Sequence, residues 1–142
     1  MTMPTATPRK IRAVLDRSAI ESYGRGHIHI GELLVDIADE GAHMAIPAVS
    51  LLEAHTRFAE DAHARALLRL LVSLPGIEVL KLDAVAASAV APTGVQTDGD
   101  LSRAHAVWAA NHFGALYLTT EPDSVVSLVP PGYIHPISEK DA

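Results

Sequence analysis

Six acidic residues fall where strands or helices should begin or end: Asp16, Glu53, Asp98, Asp100, Glu121 and Asp123. Carboxylates that converge on one point hold a hard divalent cation such as Mg²⁺ or Mn²⁺, because such ions take oxygen ligands. The chemistry open to such a centre is phosphodiester hydrolysis, which needs a polarised phosphorus, an activated water and an offset for leaving-group charge. Each acid also has a plainer duty. Asp16 can cap the helix that begins near Ser18, and Glu53 stands four residues before Arg57, a favourable helical pair. Glu121 and Asp123 suit the N-terminus of a helix opened by Pro122. Asp98 and Asp100 fit a loop and a cap.

Other chemistries find less support. The chain has eight histidines and no cysteine, which removes disulfides and thiolate zinc sites. His27 and His29 are two apart but fall at a loop–helix junction, with no third ligand evident. His105 shares a stripe with Trp108 and reads as a hydrogen-bonded core or interface residue. Gly24-Arg25-Gly26 is no dinucleotide fingerprint, and neither a phosphate-binding lysine loop nor a Gly-x-Ser-x-Gly elbow occurs.

The elements that must position the acids follow from periodicity and breakers. Ile11 to Leu15 reads as a buried strand ending at Asp16, and Ser18 to Tyr23 as a brief helix stopped by Gly24-Arg25-Gly26. From about Ile28, apolar Ile30, Leu33, Leu34 and Ile37 recur at helical spacing until Gly41. Met44 to Ile46 makes a second strand. Pro47 suits the first position of the next helix, whose apolar side is Leu51, Leu52 and Phe58. Asp61 can cap a helix that buries Leu67, Leu68, Leu70 and Leu71.

Ile77 to Leu82 reads as a third strand, and Asp83 caps the run Ala84 to Ala91, which Pro92 and Gly94 should end. That run has no charged face, so it is expected to be covered on most sides. Thr93 to Gly99 reads as a polar loop. A helix from about Asp100 to His112 precedes Gly114, a fourth strand Ala115 to Thr119, a short helix from Pro122, and Tyr133 to Ile137.

Strands alternating with helices imply a three-layer α/β/α sandwich around a mostly parallel sheet of four or five strands. Ligands of such sheets bind outside the carboxyl ends of the strands. Asp16 and Glu121 both follow predicted strands, so two acids distant in sequence should meet at one edge. The length of 142 residues suits one domain, expected over 11–137 with flexible segments at 1–10 and 138–142.

Composition is that of an ordinary globular chain, with 49% hydrophobic and 20% charged residues. The opening MTMPTATPRK carries no apolar h-region and no run approaches a membrane span. The expectation is a soluble, cytoplasmic protein without a membrane partner. A formal net charge of −6 argues against a protein that coats nucleic acid electrostatically. It argues less against a nuclease, whose carboxylates are offset locally by the cation they hold.

Three segments carry a resemblance. Val14-Leu15-Asp16-Arg17-Ser18-Ala19 resembles the opening motif of PIN domains, a strand ending in an acid followed two residues later by Ser or Thr. Ile46-Pro47-Ala48-Val49-Ser50-Leu51-Leu52-Glu53 is similar to the family's second segment, a helix carrying a Glu. Thr119-Thr120-Glu121-Pro122-Asp123 resembles its final Thr-x-Asp motif, with Glu where Asp is usual. The order of elements agrees from roughly residue 11 to 137.

The resemblance implies a metal-dependent endoribonuclease, similar to the toxin of bacterial toxin–antitoxin pairs. It would dimerise with itself, cut RNA and be restrained by an antitoxin protein. Asp16, Glu53 and Glu121 would be the catalytic metal ligands for Mg²⁺ or Mn²⁺, with Asp100 a fourth. Ser18, Thr119 and Asp123 would orient them, and Arg12, Arg17, Arg57 or Arg103 would meet phosphates.

One position departs from the family pattern. Arg103 stands where the third acid normally begins the helix before the last core strand. Either Asp100, three residues earlier on the same face, replaces that ligand, or Arg103 pairs with Asp16 or Glu121 and takes the metal's place. The second alternative is a catalytically silent PIN-like module that binds a protein or RNA partner.

Overall fold

Residues 10–138 are described by a computed structural model. The arms expected at 1–10 and 138–142 lie, apart from Lys10 and Ser138, outside the described residues. Short, nearly continuous apolar runs build a five-stranded, all-parallel sheet in the order β3-β2-β1-β4-β5. The strands are β1 (Ile11–Leu15), β2 (His43–Pro47), β3 (Ile77–Leu80), β4 (Leu116–Thr119) and β5 (Ile134–Pro136). Between them run helices α1 (Arg17–Gly24), α2 (His29–Asp39), α3 (Ala48–Arg57), α4 (Ala62–Ser73), α5 (Ala84–Gln96) and α6 (Leu101–Phe113). Short 3₁₀ turns at Pro122–Val125 and Pro131–Tyr133 link β4 to β5. Among the described residues, no helix is long and apolar enough to cross a membrane.

Both faces of the sheet are buried, as parallel strands require. Ala13, Leu15, Met44, Ile46 and Leu118 point to one face and meet Ile20, Ile30, Leu34, Leu68 and Leu71 from α1, α2 and α4. Val14, Ala45 and Tyr117 point to the other, against Ala106, Val107 and Ala110 of α6. The three-layer α/β/α sandwich expected from strand–helix alternation is the architecture of the chain.

Connections from β1 run outward through β2 to β3, then return over the sheet so that β4 pairs with β1 on its free side. The order of strands therefore reverses between β1 and β4, where a crevice opens at the strands' carboxyl ends. The Asp16 N–H donates to the Leu118 carbonyl at 3.2 Å and fixes that junction. Asp16 and the Thr119–Glu121 segment leave the sheet side by side.

Local caps follow the sequence closely. Asp16, Asp61, Asp83 and Asp100 each accept a hydrogen bond from the backbone N–H three residues on, at 2.9–3.1 Å. Gly114 closes α6 at φ +61°, a left-handed position that suits glycine.

Several expectations are corrected. Pro47 is not the first helical residue: with ψ 134° it ends β2 and precedes α3, since its backbone completes the pairing with Leu80. The third strand stops at Leu80 rather than Leu82. Leu52 and Leu70 are exposed, at 66% and 48%, because the stripes that face inward on α3 and α4 run through Ser50 and Ala54, and through Ala64, Leu68 and Leu71.

The largest correction concerns α5. Pro92 does not end it; the helix continues to Gln96, and Ser88, whose carbonyl loses its partner to the proline, is exposed. Only Val90 and Gly94, four residues apart, are buried. Val85 and Val95 are each 79% exposed. The helix packs chiefly on α6, outside the layer that covers the sheet, so its uncharged surface is not covered as periodicity suggested.

Candidate functional site

Asp16 is the deepest acid of the crevice, at 4% exposed. Its Oδ1 accepts from Ser18 Oγ at 2.6 Å and from the Ala19 N–H at 2.9 Å. The Tyr117 hydroxyl lies beside the same carboxyl, close enough to favour its charge though outside regular hydrogen-bond geometry. Burial nevertheless dominates and pushes the Asp16 carboxyl above the usual carboxylate range. Burial, and then the Asp16 charge, push the Tyr117 phenol up as well.

Ser18 and Thr119 tie the two strand ends together. Their hydroxyls are 3.2 Å apart, the Thr120 N–H donates to Ser18 Oγ, and the Glu121 N–H donates to Thr119 Oγ1, both at 2.9 Å. These bonds hold Glu121 at the crevice, where Asp16, Arg17, Asp100, Ser102, Arg103, Tyr117 and Glu121 line a space of about 10 Å³. That is room for about one water-sized sphere.

The acids at the rim are already engaged by guanidiniums. Arg17, only 12% exposed in its side chain, donates from Nη1 to Glu21 Oε2 at 2.5 Å and from Nη2 to Glu121 Oε1 at 2.7 Å. Its Nε lies 3.8 Å from Glu53 Oε1. Arg103 takes Asp100 Oδ2 at 3.0 Å and Glu121 Oε1 at 3.5 Å. Burial opposes the charge on Arg17, but the carboxylates of Glu21 and Glu121 outweigh it and raise its pKa. Asp16 is in no ion pair among the described residues.

The structure thus gathers Asp16, Asp100, Glu121, Ser18, Thr119 and Arg103 at one place, and reaches Glu53 through Arg17. Asp123 does not join them; it is exposed on the 3₁₀ turn. Asp100 also caps α6, its Oδ1 accepting from the Arg103 N–H at 3.1 Å and from Ser102 Oγ at 3.3 Å. Glu53 does pair with Arg57, at 3.3 Å. Arg103 reaches Glu121 and Asp100, not Asp16.

One residue escaped the sequence reading, and the central part of a second was not visible in it. Glu21, with its side chain 3% exposed, is the hub of three guanidiniums: besides Arg17, Arg57 approaches at 3.5 Å and Arg25 at 3.9 Å. The spacing Arg17–Glu21–Arg25 was a visible signal, since each step is four residues, but burial was not. Arg17 stands in the sequence only as one candidate phosphate contact among several arginines.

The donors as arranged do not fit a divalent ion. Among the described residues, no three His, Asp or Glu side chains are grouped to hold one. Glu121 Oε1 serves two guanidiniums and Asp100 is divided between its cap and Arg103, so the positive charge in the crevice is supplied by arginine.

No protein-family model matches the chain, and no curated protein matches it. In three dimensions the chain is similar to the crystal structure of PAE2754 from Pyrobaculum aerophilum, with a TM-score of 0.61 at 16% sequence identity. The likeness covers 85% of this chain and 87% of that one, and at such low identity it is a likeness of fold.

Proposed function

We propose that this chain is a catalytically silent PIN-like module, in which Arg17 and Arg103 supply the charge that a metal ion would otherwise bring to the acids. One observation carries this reading: Glu121, the acid of the last motif, is held by both guanidiniums through the same oxygen. A bidentate or shared arginine holds carboxylates together as a fixed cation does, but it has no coordination site for a water and so cannot acidify an attacking water as a metal can.

The partner that suits the module best is a protein, and first a second copy of itself. The exposed surface of α5 carries no charged residue from Ala84 to Gln96. Two chains of net charge −6 repel, and a contact through an uncharged helix keeps their charges apart. The same charge disfavours a nucleic-acid surface.

A second reading, the Mg²⁺- or Mn²⁺-dependent endoribonuclease restrained by an antitoxin, is favoured by Asp16. Its buried carboxylate has no cation of its own among the described residues.

Mn²⁺ titration and cleavage of single-stranded RNA decide between the two, using wild type, Asp16→Asn and the double variant Arg17→Ala/Arg103→Asp. The silent module predicts no saturable Mn²⁺ binding and no cleavage in wild type, with metal binding gained in the double variant. Saturable binding and cleavage by wild type, both lost in Asp16→Asn, would establish the nuclease instead. Sedimentation of wild type and Val85→Glu/Val95→Glu tests the homodimer: a concentration-dependent dimer should become a monomer.

A further inference from the structure

Nearly every arginine among the described residues is held by a carboxylate. Arg12 pairs with Glu40, Arg17 with Glu21 and Glu121, Arg25 with Glu21, Arg57 with Glu53, and Arg103 with Asp100. Arg65 and Arg69 are the exceptions: both are exposed on α4 and in no ion pair among the described residues. Asp61 stands four residues before Arg65, but its Oδ1 is turned into the cap of α4 and accepts the Ala64 N–H at 2.9 Å.

Four residues apart on one helix, the two guanidiniums share a face at a spacing of about 6 Å along the axis. Ala62 and Ala66 are exposed on the same helix and too short to cover them. His55, in the last turn of α3, senses both charges. Burial, then Arg65 and Arg69, lower its pKa, so the field of the two guanidiniums reaches from α4 to α3.

A chain of net charge −6 thus keeps a local positive surface that its own acids do not neutralise. At physiological salt, exposed charges beyond about 8 Å are screened, so an anion approaching α4 meets the guanidiniums before the distant acids. A nucleic-acid strand draws its affinity from many neutralised phosphates, which two arginines do not supply. Carboxylates four residues apart on a helix repeat the axial spacing of Arg65 and Arg69, and guanidiniums take them through paired N–H bonds.

We propose that the outward face of α4 docks an acidic helix of another protein, two carboxylates of which, one turn apart, take Arg65 and Arg69. α4 covers one face of the sheet, whereas α5 lies on α6 at the other. The surface is therefore open whether or not a second copy occupies α5, and it is independent of the acid crevice.

The experiment titrates the full chain with two alanine-based helical peptides by ¹H–¹⁵N NMR. One carries two glutamates four residues apart, and the other carries glutamines at the same places. The glutamate peptide should shift the amides of Arg65, Ala66 and Arg69 saturably, and more weakly as salt rises. The glutamine peptide, and wild type's partner binding in Arg65→Gln/Arg69→Gln, should each be weaker by about tenfold, the worth of two exposed ion pairs. The glutamate peptide alone should also move the titration midpoint of the His55 ring to higher pH, because its carboxylates offset the two guanidiniums.

Absence of saturable shifts, equal affinity for the two peptides, an unmoved His55 midpoint, or binding kept by the double variant would each overturn the assignment. So would single-stranded oligouridylate that binds these residues as tightly as the glutamate peptide, which would give the face to phosphates. Shifts of the same amides on raising protein concentration alone would give it to a second copy of the chain.

Discussion

Arg17 and Glu121, 104 residues apart in sequence, meet at 2.7 Å across the crevice between β1 and β4. The contact joins the first helix of the fold to the segment after β4, directly beside the buried Asp16. Because the same guanidinium also holds Glu21 and approaches Glu53, one side chain links three carboxylates from three segments of the chain.

Removing that guanidinium should be costly. Arg17→Met leaves Glu21, 3% exposed, with only the more distant Arg57 and Arg25. The expected loss is about 2–4 kcal/mol in urea denaturation. Adding Glu21→Leu should restore much of it, since an apolar pair in place of a buried ion pair is often neutral. Additive losses in this double-mutant cycle would contradict the hub.

Glu53 should matter far less to stability. Its side chain is 35% exposed and its two arginines stand at 3.3 and 3.8 Å, so Glu53→Gln should cost about 0.5 kcal/mol or less. A loss comparable with that of Arg17→Met would place Glu53 in the buried network rather than at its rim.

Asp16 sets a distinctive pH dependence. Its folded pKa is raised, so the folded state holds the proton more tightly than the unfolded chain. The carboxylate therefore costs stability above its folded pKa, and this cost is relieved as pH falls through that value toward the ordinary carboxylate range. Asp16→Asn, which keeps an oxygen for the Ala19 N–H, should raise the Tm at neutral pH, and the gain should shrink in acid. A variant less stable than wild type at pH 7 would show that the charge is compensated.

Pro92 interrupts the hydrogen bonding of α5 without ending it. A proline inside a helix costs about 3 kcal/mol, partly offset by the stiffer unfolded chain, so Pro92→Ala should stabilise by about 1–2 kcal/mol. Chemical denaturation reads this as a higher midpoint with an unchanged slope. An unchanged midpoint would mean that the ring itself makes contacts worth as much as the lost bond.

Much of this protein is written in short windows of sequence. Short apolar runs such as Ile11–Leu15 specify buried strands, the aspartates at 16, 61, 83 and 100 mark helix starts, and strand–helix order specifies a layered parallel sheet. Those are local properties, each decided within a turn or a few residues. The meeting of Asp16 with Glu121 was also legible, because both follow strands whose carboxyl ends must share an edge.

Tertiary structure alone decided the rest. Which cation meets which acid depends on sheet order and on rotamers of residues far apart, so Arg17 on Glu121 has no local signature. The exposure of α5 was decided the same way: its sequence is apolar all round, but only the docking of Val90 and Gly94 onto α6 determined which surface is covered. Periodicity encodes what an element can bury; the neighbours that arrive decide what it does bury.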